Sequence, residues 1–584
     1  MKKALEQVNI TAAEQKPSSS PAPELVLQAL GRILGTRRFA TSESLCNLMR
    51  YTVEKALTGR GSELKEYTIG VEALGRPPSF DPREDNIVRV QARKLRQRLT
   101  GYYESDGRQD RCRIVYQPGT YVPKFHFVDR PPAPMRTIAV LPFMNLTADD
   151  EAGYFCDGLA EELIDLLSRT DGLRVVARTS SFQFKGAPLD IREIGKRLCA
   201  DLLIEGAVRG GHARYITTVR LLSTTDGYQV WAERYDRTLN DLVALETEIA
   251  NSVASVLSSG PPPLASEMNS DAITLYLQAR YAWNQRTELG FRRALELYTA
   301  AVRRDPRAAK AWTGIAECHV LMNMHGLALP KICMPQAQEA ALSALEIDPG
   351  LASAHSALAA VHAIYDRQYD AACEHWEQAL FIDPDYSTAH HWFSMFGLVP
   401  MGRPDEALKE IEEAQRLDPL SAPIANDVGF VLYWMRRFAD AREQCHRAVR
   451  LNRRFSRAHL LEARVLLAQG SYSEAVQMCQ VAEEIGVTSF RPYLLGTLGY
   501  AYAALGDEAA ARHVLQQLML MEGQCVTAHE RALVHAGLHE WEQSSAALEA
   551  AVEQRTGWAV WLKFDPLLDG LRSRQFVPGV PAFT

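Results

Sequence analysis

Apolar residues recur at helical spacing in residues 86–99, where the sequence is NIVRVQARKLRQRL. They lie at positions i, i+4, i+7 and i+11, which places them on one face of an α-helix. The members of this apolar stripe are Val88, Ala92, Leu95 and Leu99. The outward positions between them carry Arg89, Val90, Arg93, Lys94, Gln97 and Arg98. The pattern predicts an amphipathic helix whose outer face is basic.

A β-ribbon is predicted shortly after this helix. The segment CRIVYQPGTYVPKFHF, residues 112–127, has strand-forming residues on both sides of a turn at Pro118-Gly119. Two further helices are predicted upstream, over residues 42–57 and 63–74. The inward face of the first of them consists of Leu45, Leu48, Met49, Val53 and Ala56. A basic helix followed by a β-hairpin is the order of elements in a winged helix, whose recognition helix enters the DNA major groove.

The order V-R-V-x-A-R-K-L-R-x-R-L, then a strand, then G-x-Y, resembles the effector domain of OmpR/PhoB-type response regulators. The resemblance implies that the apolar stripe packs on two preceding helices and that the outward residues meet DNA. It also implies that Gly119 and Tyr121 lie at the turn of the wing. We expect Arg93 or Gln97 to contact a base edge and the other cations to contact phosphates. The sequence departs from the family in a long connection at residues 75–86, which carries the acidic residues Asp81, Glu84 and Asp85.

Strands and helices alternate in the middle of the chain. The pattern predicts strands at residues 137–143 and 173–177, helices at 157–170 and 190–200, and then three antiparallel strands with turns at Gly210-Gly211 and Asp226-Gly227. Asp190 is a good N-cap for the second helix. The motifs IAVLPF-x-N, Y-F-x-D-G-L-x-E-E-L, V-x-A-R-T-S-S-F, E-G-x-V-R and W-A-E-R-Y-D-R resemble the TolB N-terminal-like domain, which implies an α/β domain with a central sheet.

Four carboxylates in this middle segment raise the question of catalysis, because paired carboxylates can do acid–base chemistry. They are Asp157, Glu161, Glu162 and Asp165. On a helix they fall opposite the leucines, so we expect a solvated face. The chain is therefore predicted not to be an enzyme, and no cofactor is expected.

The C-terminal half repeats a dipeptide at a nearly constant interval. Asp-Pro occurs at residues 305, 348, 383 and 418, and Asn452-Arg453 takes the next position. After one longer interval, the spacing is close to the 34-residue tetratricopeptide period. Residues 271–555 resemble tetratricopeptide repeats, and the following segment WLKFDPLLDGLRSRQF resembles the cap of such an array. The resemblance implies stacked helix pairs with a groove for a protein or peptide partner.

The predicted fold is multidomain and mostly α. Its parts are a disordered tail (1–24), a winged helix-turn-helix domain (25–130), a TolB N-terminal-like α/β domain (131–258), a linker (259–270) and a tetratricopeptide solenoid with its cap (271–584).

The composition of the 584-residue chain limits the classes of site and of protein that are expected. The net charge of −7 shows no overall basic excess, and the basic character is local, concentrated in the region from Arg89 to Arg113. The ten cysteines lack C-x-x-C spacing, and no metal site is expected. Five histidines are expected to line the groove or the core rather than bind metal: His355, His362, His375, His390 and His391. No apolar run is long enough to span a membrane, and the N-terminal segment does not resemble a signal peptide, so a cytoplasmic protein is expected.

These observations predict a transcriptional regulator that binds double-stranded DNA through its first domain and recruits a protein partner, in signal transduction, through its repeats. The alternative is a scaffold in a signalling pathway that binds proteins and not DNA, because an outer basic face is often only a solvated surface. Salt dependence distinguishes them, since binding through several phosphates weakens steeply as salt rises. The operator, the effector, the partner and the oligomeric state stay open.

Overall fold

The computed structural model describes residues 23–35, 39, 42–83, 85–104, 112–117, 120–127, 136–147, 152–170, 172–187, 189–211, 214–237, 242–257, 269–486, 490–521 and 527–574. Most of the predicted tail, most of the predicted linker and the predicted wing turn at Pro118-Gly119 lie outside these residues. The chain divides into two compact units, residues 1–133 and 134–584.

The first unit consists of helices followed by a β-ribbon. Its helices are α1 (Pro23–Gly35), α2 (Glu43–Leu57), α3 (Glu66–Thr68, continued by a π-helical turn at Ile69–Ala73) and α4 (Ile87–Glu104). Strands β1 (Cys112–Val115) and β2 (Lys124–Phe127) pair antiparallel. The two predicted upstream helices and the two predicted strands are thus present, and α1 is an additional helix before them.

The core of the first unit confirms the predicted apolar stripe of α4. Its four members are all buried, together with the inward residues of α2 except Ala56, which is half-buried. The ribbon is tied to this core by Tyr116, whose hydroxyl lies 2.6 Å from the Thr52 hydroxyl of α2. Burial of the stripe leaves the opposite side of α4 as the outer surface of the unit.

In the residues that the structure describes, the second unit begins with a six-stranded sheet. Its strands are β3 (Arg136–Val140), β4 (Met144–Asn145), β5 (Leu173–Val175), β6 (Leu202–Gly211), β7 (Arg214–Ser223) and β8 (Gln229–Arg237). Strand β3 is parallel to β5 and β6, β4 is parallel to β6, and the β6-β7-β8 run is antiparallel. The predicted strands are confirmed, although β6 continues through the glycine pair where the sequence predicts a turn.

Helices pack on both faces of this sheet. They are α5 (Ala152–Ser168), α6 (Arg178–Ser181, followed by a 3₁₀ turn at Phe182–Phe184), α7 (Ile191–Leu198) and α8 (Leu242–Val256). Asp190 caps α7 as predicted, because its side chain accepts a hydrogen bond from the Arg192 backbone N–H.

Antiparallel helix pairs make up most of the remaining described residues of the second unit. The first four pairs are α9 and α10 (Ser270–Asn284, Glu288–Arg304), α11 and α12 (Ala309–Met324, Pro330–Ile347), α13 and α14 (Ala352–Val361, Tyr369–Ile382), and α15 and α16 (Ser387–Trp392, Pro404–Leu417). Helices α13 and α15 continue as π-helical turns at His362–Asp366 and Phe393–Leu398. The next four pairs are α17 and α18 (Ala422–Trp434, Phe438–Leu451), α19 and α20 (Ser456–Ala468, Tyr472–Ile485), α21 and α22 (Arg491–Ala504, Glu508–Leu520), and α23 and α24 (Ala528–Gly537, Trp541–Glu553). Each predicted Asp-Pro dipeptide follows the second helix of a pair, so the predicted helical repeat is confirmed.

The sheet and the first repeats share one hydrophobic core. Buried residues of β3, β6 and α5 belong to the same apolar cluster as residues of α9, α10 and α11, including Ile138, Leu163, Leu277 and Tyr298. The α/β segment and the start of the array are therefore packed together within the second unit.

The C-terminal segment crosses the middle of the array. It forms 3₁₀ turns at Gly557–Trp561 and Pro566–Leu568 and a short helix, α25 (Asp569–Arg572). Trp561 Nε1 donates to the Met395 carbonyl at 2.6 Å, and the Tyr433 hydroxyl donates to Asp565 at 2.8 Å. The segment predicted to cap the last repeat thus also packs against earlier ones.

Candidate functional sites

The outer face of α4 carries most of the residues predicted to meet DNA. Arg89, Val90, Arg93, Lys94 and Gln97 are exposed, and Arg98 and Tyr121 are half-buried. Gly119 lies outside the described residues. Asp85 accepts a hydrogen bond from the Ile87 backbone N–H at 3.0 Å, so one acid of the long connection caps the start of α4. Cations and one apolar side chain therefore share a solvent-facing strip along one helix.

Two of these predicted residues are held by one carboxylate. Arg89 donates to both oxygens of Glu66, at 2.8 and 3.0 Å, and the Tyr121 hydroxyl donates to Glu66 Oε1 at 2.6 Å. The Arg89 hydrogen bonds hold the pKa of Glu66 below its ordinary value, so the carboxylate stays charged. Arg89 is thereby positioned against α3, whereas Arg93 and Lys94 extend one turn further along α4. Sequence reasoning missed Glu66, because no periodicity links it to a helix 23 residues away.

Three of the four carboxylates of α5 are not on a solvated face, which corrects the sequence expectation for them; the side chain of the fourth, Asp165, is 49% exposed. Asp157, Glu161 and Glu162 are buried, at 5, 7 and 9% exposure. Glu161 accepts hydrogen bonds from Arg280 of α9 and from Arg178 at the start of α6, and Glu162 pairs with Lys310 of α11. The helix is covered on both sides: its leucines pack on the sheet, and Glu161 and Glu162 pair with basic residues of the array.

The charges around Glu161 set its protonation. Burial on its own would raise the pKa of Glu161, but the positive charges of Arg280 and Arg178 outweigh it and hold that pKa below its ordinary value. The carboxylate is therefore ionised, and it forms a structural ion pair with the two arginines. A general acid needs the opposite shift, so Glu161 supplies no argument for acid–base catalysis.

Two of the repeat dipeptides also contact the α/β segment. Ser180 Oγ donates to Asp418 Oδ1 at 2.5 Å, and Ser168 Oγ donates to Asp383 at 3.4 Å. Burial raises the pKa of both Asp383 and Asp418 to about 6. Two of the four Asp-Pro positions, predicted only from the spacing of the repeats, thus contact another part of the second unit.

Replacing Asp418 by asparagine is expected to stabilise the protein at neutral pH. Because the pKa of Asp418 is raised on folding, the folded protein binds more protons than the unfolded chain between about pH 4 and pH 6. The charged carboxylate therefore costs stability above about pH 6, whereas asparagine is neutral and still accepts from Ser180. Urea unfolding should show D418N more stable by about 1–3 kcal/mol at pH 7.5, with the advantage shrinking below pH 6. The control is the exposed D405N; an advantage equal at both pH values would contradict the assignment.

The five histidines lie in side-chain pairs within the array. His355 and His375 approach through their Nδ1 atoms at 3.0 Å, while His362, His390 and His391 face Asp366, Glu410 and Asp427. Burial, and after it the charges of His355 and His362, lower the pKa of His375 to about 4. In the part of the chain that the structure describes, no group of three or more His, Cys, Asp or Glu side chains has a metal-binding arrangement. The same part contains no helix that is both long and apolar enough to cross a membrane.

The repeat geometry agrees with a comparison against known families. The tetratricopeptide repeat model matches residues 276–323 and 431–486. The type IV pilus assembly protein PilF of Pseudomonas aeruginosa is 30% identical over 190 residues, which cover 32% of this chain and 74% of PilF. The chain belongs to the tetratricopeptide repeat family. Its repeats support binding of protein or peptide partners, because stacked helix pairs form an extended surface for them.

Other relatives of this tetratricopeptide protein match in part. The transcriptional regulator HilA of Salmonella typhimurium is 25% identical over 351 residues, 58% of this chain and 60% of HilA. Putative adenylate cyclase 3 of Rhizobium meliloti is 34% identical over 187 residues, 31% of this chain and 32% of the cyclase. The chain thus spans about a third of the cyclase and 60% of HilA. The solved structure of Pseudomonas aeruginosa PilF is 25% identical and covers 36% of this chain and 92% of its own, with a TM-score of 0.28.

Proposed function

We propose that this protein is a DNA-binding transcriptional regulator whose repeat array recruits a protein partner. In this proposal the first unit is an OmpR-type winged helix, α4 is its recognition helix and the β1–β2 ribbon is its wing. The α/β segment is a TolB N-terminal-like domain that connects or senses, the chain acts in the cytoplasm, and it is not an enzyme.

The observation that carries the proposal is the two-sided character of α4. Its apolar stripe is buried against the unit, and its opposite side presents Arg93, Lys94 and Gln97 to solvent. A helix exposed in this way can lie in the major groove, where arginine and glutamine pair with guanine and adenine edges. The cations that do not reach bases would neutralise phosphates and set the register of the unit on the duplex.

The likeness to HilA adds support from outside the repeats. The matched stretch of 351 residues is longer than the whole of residues 270–584, so it includes part of the chain before the array. HilA is named as a transcriptional regulator, and the shared stretch favours that class over a protein built from repeats alone.

A protein-binding scaffold is the second candidate, favoured by the ion pair between Arg89 and Glu66. This pair occupies a cation of α4 that would otherwise be available to phosphates. The scaffold proposal keeps the role of the array and replaces DNA by a protein at α4.

The double variant R93A/K94A tests α4. A duplex pool with a randomised core is selected on the full chain, and the selected DNA serves as the probe. Binding to R93A/K94A should weaken by about 1–3 kcal/mol if one of the two side chains pairs with a base edge. The slope of log K against log salt should become shallower by about 0.9 for each phosphate that the variant no longer neutralises. Fluorescence anisotropy over a salt series measures both quantities.

The matched control is R303A/R304A, which removes the same two charges from the exposed end of α10. It should keep both the affinity and the slope of the unaltered chain. Equal affinity of R93A/K94A and the unaltered chain would refute α4 as the recognition helix. Failure to select any duplex at low salt would favour the scaffold.

A further inference from the structure

Strand β8 is the last strand of the sheet in the second unit. In the described residues it pairs with β7 on one side and with no strand on the other. A last strand presents backbone N–H and C=O groups that can pair with a further strand, unless a proline or a bulge prevents it. Residues 229–237 contain no proline, and the single irregularity in their pairing with β7 falls at Leu221/Leu222, so residues 231–237 pair regularly. The edge of β8 is therefore able to accept another strand.

Residues 233–237, with the sequence ERYDR, alternate between the two faces of the sheet. Glu233, Tyr235 and Arg237 share the face on which α8 packs, and Tyr235 is buried there with its hydroxyl against α8. Arg234 and Asp236 share the opposite face, and both are exposed. Glu233 is also exposed, and Arg237 is half-buried. Four charges thus lie along the accessible edge, two on each face.

The order of these charges is complementary to an antiparallel copy of the same segment. A two-fold axis through Tyr235 would place Arg234 opposite Asp236 of the second copy. The same axis would place Glu233 opposite Arg237, and each of the two pairs would occur twice. Opposite charges directly across two strands stabilise their pairing, whereas like charges destabilise it. A register centred on any one of the four charged residues would place that residue opposite its own copy, so the segment favours the register centred on Tyr235.

Arg234 and Asp236 are the pair that a second copy would complete most directly. Among the residues that the structure describes, Arg234 forms neither an ion pair nor a hydrogen bond. Asp236 accepts from Arg214 of β7 at 3.0 Å, and both side chains of that pair are more than half exposed. A carboxylate accepts several hydrogen bonds, so Asp236 can bind Arg234 of a second copy as well. Charges on an edge strand discourage unrelated strands, and this order of charges therefore favours the same chain.

We propose that β8 pairs antiparallel with β8 of a second copy, in the register centred on Tyr235, and that the protein is a two-fold homodimer with one continuous sheet across its interface. The same edge is used by both chains, so the pairing ends at two copies. The inference goes beyond the proposed function, because it concerns the assembly of the chain and requires neither DNA nor a partner protein.

Sedimentation velocity of the full chain over a concentration series tests this interface. The unaltered chain should dimerise, and R234D and D236R should each raise the dissociation constant at least about tenfold, because each places like charges opposite each other twice. An equimolar mixture of R234D and D236R, with one of them fluorescently labelled, should form the dimer again. In that mixture the two negative charges of one chain face the two positive charges of the other. Rising salt should weaken the dimer of the unaltered chain, because exposed charge pairs are screened.

R209D is the matched control. Arg209 is exposed on β6 and lies opposite Ile216 of β7, which is also the neighbour of Asp236, so it occupies the same row of the sheet away from the edge. R209D should dimerise like the unaltered chain. The pair of Asp236 with Arg214 that D236R breaks is exposed, and such pairs contribute little to folding, so the variants should stay folded. Circular dichroism checks this.

Each contrary outcome is distinct. A chain that is monomeric at every concentration overturns the inference. R234D dimers as strong as those of R209D would overturn β8 as the interface. Single variants that are monomeric and stay monomeric in the mixture would show that cross-strand charges do not hold the copies together, which overturns the register as well. Because no DNA is present, none of these results depends on the proposed function.

Discussion

Replacing Arg464 with methionine is expected to lower the free energy of unfolding by about 3–5 kcal/mol. Arg464 is 1% exposed, and its guanidinium donates to Glu530 at 3.0 Å, to Asp565 at 3.2 Å and to Thr497 at 3.1 Å. Burial opposes its charge, but Tyr493, Glu530 and Asp565 outweigh burial and raise the pKa of Arg464. Methionine keeps the volume and leaves two buried carboxylates without their cation, which is the costly way to break a buried ion pair.

Urea unfolding followed by circular dichroism measures this effect. R491M is the control, because Arg491 forms an exposed pair with Glu483 and such pairs contribute about 0–1 kcal/mol. Adding Glu530→Gln to R464M should recover part of the loss, since one uncompensated charge is removed. An R464M protein as stable as R491M would show that the cluster is not held together by Arg464.

Features that depend on local periodicity could be predicted from the sequence. The apolar stripe of α4 needs only the 3.6-residue period, and Val88 and Leu95 are buried as that period requires. The helix pairs of the array follow from the recurring Asp-Pro positions. The strands of the sheet follow from short β-branched runs such as the one around Ile138.

Features that depend on distant partners could not be predicted. The acids of α5 have the spacing of a solvated face, and nothing near them in the sequence indicates that Lys310 and Arg280 will cover them. The same limit applies to Arg89, whose partner Glu66 lies on another helix. The pocket that Asn323, Tyr493 and Trp558 line combines α11, α21 and a C-terminal turn, which lie far apart in the sequence.

Replacing Glu161 with leucine is the second change expected to cost about 3–5 kcal/mol of unfolding free energy at pH 7. Glu161 is the shared acceptor of Arg178, Arg280 and Asn284, so its loss removes the carboxylate from two mostly buried guanidinium groups and leaves Arg280 with only the longer contact to Glu317, at 3.4 Å. Because α5 packs on the sheet and Arg280 lies in the first repeat, the variant should destabilise the sheet and the first repeat together.

The pH dependence of this loss identifies its cause. The pKa of Glu161 is lowered on folding, so the stability that its charge contributes is present above its ordinary pKa and is lost as the pH falls through the folded value. The difference between the unaltered chain and E161L should therefore be largest near neutral pH and should shrink in strongly acidic buffer. The control is E193L, at the exposed Glu193–Arg197 pair, where little loss is expected at any pH. If the loss of unfolding free energy in E161L does not change with pH, its cause is packing and not charge. The ion pairs of Glu161 would then not be what joins the sheet to the array.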